Sequence, residues 1–113
     1  IRVPVVDGAI TDMVVHLRED CSVKQVNEAF KAAAEGPMHG ILGYSEQELV
    51  SADILGDPRS GIVDALSTRV LRGCVVKVLV WYDNEFGYSC QVMKVLQHMA
   101  DLVYPSLPMD MPK

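Results

Sequence analysis

Between residues 10 and 18, in ITDMVVHLR, apolar and polar positions alternate. Met13, Val15 and Leu17 share one face and Asp12, Val14, His16 and Arg18 the other. A period of two is the pattern of a strand with one buried side, because successive side chains of extended chain point to opposite faces. His16 therefore reads as a solvent-side strand residue, with a ligand or catalytic role as the alternative. Beyond Ser22 the period lengthens: Val23, Val26, Phe30 and Ala33 recur at helical spacing. Ser22 suits the N-cap, and Gln25, three residues on, completes a capping box. Gly36 and Pro37 close this helix, Gly by accepting a left-handed conformation and Pro by lacking an N–H. Residues 38–63 are broken by Gly40, Gly43, Gly56, Pro58 and Gly61, which predicts short strands alternating with turns. VVKVLVWY, residues 75–82, is a nearly unbroken apolar run rich in β-branched residues and is expected to be a central strand. A second helix is expected over residues 89–103. Its apolar stripe comprises Val92, Val95, Leu96, Met99 and Leu102, with Met93 and Met99 filling the core. Residues 104–113 carry three of the six prolines and read as an extended or disordered tail. Strand, helix, several strands and helix, without regular βαβ alternation, predict an α+β fold: an antiparallel or mixed sheet covered on one face by helices.

Length and charge narrow the function classes. The 113 residues suffice for one small domain. Ten Lys and Arg against fifteen Asp and Glu give a net charge of −5, which argues against a nucleic-acid-binding module. Half of the residues are apolar and 22% charged, the balance of a globular chain. No apolar run approaches the roughly 18–20 residues of a bilayer span, so no membrane partner is expected. Cys21, Cys74 and Cys90 are odd in number and widely spaced, with neither a C-x-x-C pair nor a zinc-type Cys–His pair. No metal site or disulfide framework is expected, and the compartment reads as reducing. Gly36, Gly40 and Gly43 do not form G-x-G-x-x-G, and no P-loop follows.

WYDNEFGYS, residues 81–89, is the most informative stretch. A buried strand delivers a polar loop with a helix just beyond, the setting in which binding residues concentrate. The planar amide of Asn84 can both donate and accept, which suits a primary carboxamide. Tyr88 offers an aromatic edge and a hydroxyl. The structural alternative is that Asp83 and Asn84 cap the last helix.

This nonapeptide closely resembles the W-Y-D-N-E-(aromatic)-G-Y-S signature of phosphorylating glyceraldehyde-3-phosphate dehydrogenases. RVP at residues 2–4, KAAAEGPMHGILGYSE at 31–46, VSADILGD at 50–57 and SGIVDA at 60–65 follow in that family's order and spacing. The resemblance runs from Arg2 to about Leu102. It implies that residues 1–103 are the C-terminal part of the catalytic domain. The Rossmann domain that binds NAD or NADP, the nucleophilic Cys and its His base would lie in parts this chain does not contain. None of the three cysteines stands in the family's Ser-Cys-Thr-Thr-Asn string, and His39 and His98 stand where the family shows no base. They read as a surface-turn residue and a helix-flank residue, and no residue of this chain is expected to be catalytic.

By position, the resemblance makes Arg2 a phosphate-binding residue, a task suited to the paired donors of a guanidinium. It makes Asn84 the partner of the nicotinamide carboxamide and Tyr88 the aromatic beside the ring. The reaction it implies begins with thiolate attack on the aldehyde of glyceraldehyde 3-phosphate. Hydride transfer and cleavage of a thioester by inorganic phosphate follow, in a cytoplasmic or plastid homotetramer. Some positions depart from the commoner patterns: Val5-Val6-Asp7-Gly8-Ala9 after RVP, Arg59 for a frequent His, Cys90 for a frequent Asn, and Gln91 for a basic residue. Two further readings accompany this one. One is an erythrose-4-phosphate dehydrogenase, whose W-x-D-N-E-W-G string matches less well. The other is a truncated, non-catalytic chain that associates with full-length subunits through exposed apolar surface.

Overall fold

A computed structural model describes residues 3–101; Arg2, Leu102 and the Pro-rich tail at 104–113 lie outside the described residues. In chain order the elements are β1 (Ala9–His16), α1 (Val23–Glu35), β2 (Leu42–Ser45), α2 (Ser51–Ile54), β3 (Gly61–Leu71), β4 (Val75–Tyr82) and α3 (Phe86–Met99). One mixed sheet has the order β1-β4-β3-β2. β4 is antiparallel to both β1 and β3, whereas β2 runs parallel to β3. The α+β class and the central place of VVKVLVWY follow the expectation.

α1 starts where its capping chemistry puts it. The Gln25 N–H donates to Ser22 Oγ at 3.2 Å, and the Ser22 N–H donates back to Gln25 Oε1 at 2.9 Å. The helix lies over β2 and β3. Its Val26 and Phe30 pack on a core of Val63, Val76 and Val78, joined by Val15, Leu42, Tyr44 and Val80. Asn27 adds a directional tie, donating from Nδ2 to the Ala65 carbonyl at 3.0 Å.

Three expectations need correction. In β1 only Val15 joins the core, and Met13 and Leu17 are each 37% exposed. β1 is an edge strand on the far side of β4 from α1, so its apolar face finds no cover there. The glycine-broken stretch 38–63 holds one short strand and the single helical turn α2, rather than several strands. It leads into the 11-residue β3, which the apolar pattern does not announce. β3 is hard to read because it buries polar groups. Asp64 and Thr68 are inside, and the register shifts between Asp64 and Arg69, where Asp64 accepts from Ser67 N–H and Ser67 Oγ.

The third correction concerns α3. It begins at Phe86 rather than Ser89 and ends at Met99, just before Asp101 with a left-handed φ of 53°. Val92, Val95, Leu96 and Met99 are exposed, Met99 to 77%, and Met93 is exposed too, so the stripe does not fill the core. The face that docks is a different one. Gly87 and Cys90 are buried, Gln91 Nε2 donates to Pro58 O at 2.7 Å, and Lys94 Nζ donates to Gly40 O at 2.6 Å. Positions 87, 90, 91 and 94 share one side of a helix. α3 thus seats a small, polar face against the loops at the sheet's end.

Candidate functional site

The β4–α3 loop carries Asp83 and Asn84, and the two side chains behave differently. Asp83 is 2% exposed. Its Oδ1 accepts from Glu85 N–H at 2.9 Å and Phe86 N–H at 2.6 Å, which satisfies the free donors at the start of α3. Its Oδ2 accepts from Gly56 N–H at 2.9 Å, just beyond α2. Burial alone would raise the Asp83 carboxyl pKa. The hydrogen bonds from Gly56, Phe86 and Glu85, with a side-chain contact from Asp7, override burial and hold it below the ordinary carboxylate value. The capping alternative thus holds for Asp83.

Asn84 is exposed, and among the described residues its amide makes no hydrogen bond. Four residues on, in the first turn of α3, Tyr88 is 71% exposed. Both side chains stand at the same end of α3, open to solvent. Arg2 lies outside the described residues. His16 is exposed on β1 with Nε2 3.1 Å from Cys74 Sγ; His39 is exposed in the turn after α1 and His98 on α3. The three cysteines are unpaired. Among the described residues no group of three or more His, Cys, Asp or Glu is placed to hold a metal ion, and no helix is long and apolar enough to cross a membrane.

A second arrangement, which sequence reading marked only as a departure at Arg59, sits beneath this loop. Arg59 Nε donates to both Asp57 oxygens, at 2.9 and 3.2 Å, and Nη2 donates to Oδ2. The pair is half-buried. Burial pushes the Asp57 carboxyl pKa up, but the Arg59 guanidinium outweighs it and the net displacement is downward. The hydrogen bond to Asp57 in turn raises Arg59, against a smaller opposing effect of burial. This fork stiffens the segment on which α3 rests. A Cβ at Gly87 would lie 2.8 Å from Arg59 O and 3.2 Å from Asp57 O, so only glycine allows that approach. The spacing Asp-x-Arg in DPRS was the available signal, and nothing in periodicity ties it to residue 87. On the other side of this segment a cavity of about 850 Å³ opens beside β2, lined by Lys31, His39, Tyr44, Glu46 and Arg59 among others. Neither Asn84 nor Tyr88 lines it.

Comparison with known proteins gives the family. Residues 1–84 match the family model described as glyceraldehyde 3-phosphate dehydrogenase, C-terminal domain. The chain is 52% identical over 100 residues to glyceraldehyde-3-phosphate dehydrogenase 1 of Bacillus cereus, covering 88% of this chain and 30% of that protein. It is 48% identical over 100 residues to glyceraldehyde-3-phosphate dehydrogenase 2 of Bacillus subtilis, covering 88% of this chain and 29% of the relative. Against glyceraldehyde-3-phosphate dehydrogenase 1 of Saccharomyces cerevisiae it is 46% identical over 99 residues, or 88% and 30% of the two chains. The matched segment thus spans about 30% of the length of these relatives. With its mixed sheet and most of its length inside that family model, the chain belongs to the glyceraldehyde 3-phosphate dehydrogenase C-terminal domain family.

Proposed function

We propose that this chain serves an NAD- or NADP-dependent oxidoreductase that converts glyceraldehyde 3-phosphate and inorganic phosphate to 1,3-bisphosphoglycerate. Its own part is to bind and orient. The observation that carries the reading is the pairing at the start of α3: an anchored loop that leaves the Asn84 amide and the Tyr88 ring exposed. A side-chain amide offers a donor and an acceptor in one plane, which matches the nicotinamide carboxamide. Tyr88, exposed at the same end of α3, would offer an aromatic edge to the ring so held. The nicotinamide, when bound, supplies hydride acceptance. Arg2 takes the phosphate role through its fork of N–H donors. The thiol nucleophile, its base and the dinucleotide domain are assigned to parts of the enzyme outside these 113 residues, and the segment alone is inactive. The working unit is a homotetramer, cytoplasmic or in a plastid.

The truncated-subunit reading draws on the exposed α3 stripe and the uncovered face of β1, surfaces suited to association. The test is kinetic, on the native polypeptide that contains this segment. Asn84→Ala should raise KM for the nicotinamide cofactor about tenfold, the loss expected for a hydrogen-bonded pair of about 1.4 kcal/mol, and leave KM for phosphate unchanged. Arg2→Ala should do the reverse. A native polypeptide without phosphate-dependent aldehyde oxidation would remove the enzyme reading and leave the association reading.

A further inference from the structure

We infer that Asp83 is a positioning residue for the Asn84 amide, holding it in the orientation in which it meets a primary carboxamide. This rests on the proposed nicotinamide contact of Asn84. Capping α3 would require only one carboxylate oxygen, and Oδ1 does that work through Glu85 and Phe86 N–H. An exposed Ser or Asp at the N-cap would serve as well without the cost of burying a charge. Asp83 is instead buried, and its second oxygen reaches Gly56 N–H, 27 residues back along the chain. That contact joins the helix start to the segment after α2. The same segment meets α3 again one turn further on, where Gly87 closes on the Asp57 and Arg59 carbonyls and Gln91 donates to Pro58 O.

Asn84 is therefore flanked by fixed neighbours on both sides. Asp83 is held by three N–H donors, and the Glu85 N–H is itself one of them. The Asn84 side chain is exposed, and among the described residues it makes no hydrogen bond. Its backbone is placed by the protein and its amide is left for something else. Pre-placing a polar group spares the ligand the ordering cost of binding, which is how a residue that never touches the ligand contributes to affinity. Asp83 acts through Asn84 in this way, and its two oxygens divide the work between helix start and upstream segment.

A double-mutant cycle on the native polypeptide that contains this segment tests the inference. KM for the nicotinamide cofactor and for glyceraldehyde 3-phosphate is measured for Asp83→Asn, Asn84→Ala and the double variant. Asp83→Asn is the milder choice, since it can keep an acceptor toward Glu85 and Phe86 while losing the one toward Gly56; Asp83→Ala is the second. Each single change should raise KM for the cofactor several-fold to tenfold, with KM for the aldehyde unchanged. The double variant should be no worse than Asn84→Ala alone, because a residue that works only through Asn84 has nothing left to position. Lys77→Ala, which breaks an exposed ion pair with Asp12 elsewhere on the sheet, should move neither constant. If Asn84→Ala raises KM but Asp83→Asn does not, or the two effects multiply, the positioning role is overturned and the Asn84 contact stands. If Asn84→Ala leaves KM unchanged, the nicotinamide reading falls and takes this inference with it.

Discussion

Asp83 and Asn84 are adjacent, equally polar and opposite in behaviour, and burial decides which is which. A carboxylate at 2% exposure survives only because three backbone N–H groups replace its water. Those bonds favour the charged form, so the folded-state pKa lies below the unfolded value of about 3.9. A group depressed in this way stabilises the fold above its unfolded pKa and loses that contribution as pH falls through the folded one. Asp57, held down by Arg59, acts in the same direction. Urea unfolding of the 113-residue chain at stepped pH should show Asp83→Ala less stable by about 2 kcal/mol near pH 7, the usual cost of a lost cap and charged hydrogen bonds. The deficit should hold down to about pH 5 and shrink below about pH 4. A deficit that grows with acid would contradict the assignment. The sequence offered both the capping and the binding reading of this pair. It could not choose between them, because the choice depends on Gly56, a partner far back in the chain.

At the scale of elements, legibility followed locality. α1 was readable because its signals are its own: Ser22, Gln25 and a helical period; it does stop before Gly36, but Gly36 stands at φ −114° rather than in the expected left-handed conformation. VVKVLVWY was readable because a central strand is apolar on both faces. β3 was not, since it buries Asp64 and Thr68 around a register shift, and Asp64 is held there by Ser67 rather than by pattern. α3 misled in a more instructive way. Its apolar stripe suggested the inner face, while the contact inside this chain is made by Gly87, Cys90, Gln91 and Lys94. Gly87→Ala should then destabilise the 113-residue chain by about 1–3 kcal/mol, because the added methyl meets the Arg59 and Asp57 carbonyls, which are backbone and cannot swing aside. Val95→Ser, on the exposed stripe, should change the same unfolding free energy by less than about 0.5 kcal/mol. Equal losses from the two would mean that α3 docks the other way round.

Among the described residues, apolar side chains stand uncovered on β1 and along the outer face of α3, as well as at scattered loop positions. Exposed surface of this kind commonly marks an interface. The family assignment and the share of the relatives matched, about 30%, fit that picture. The family itself was legible from WYDNEFGYS and four further strings, because a polar loop is specified residue by residue where a core is constrained mainly by volume. The clamp of Asp57 and Arg59 was not, since the contacts that give it meaning lie with residues far away in sequence. The central claim is that these residues work within a complete dehydrogenase, and the intact mass of the native protein, detected in its source through this segment, tests it most directly. The account predicts a mass roughly three times the 12.4 kDa of these 113 residues, in proportion to relatives of which the matched segment is 29–30%. A native mass near 12.4 kDa would contradict it, leaving a chain with Asn84 and Tyr88 in place and no chemistry for them to serve.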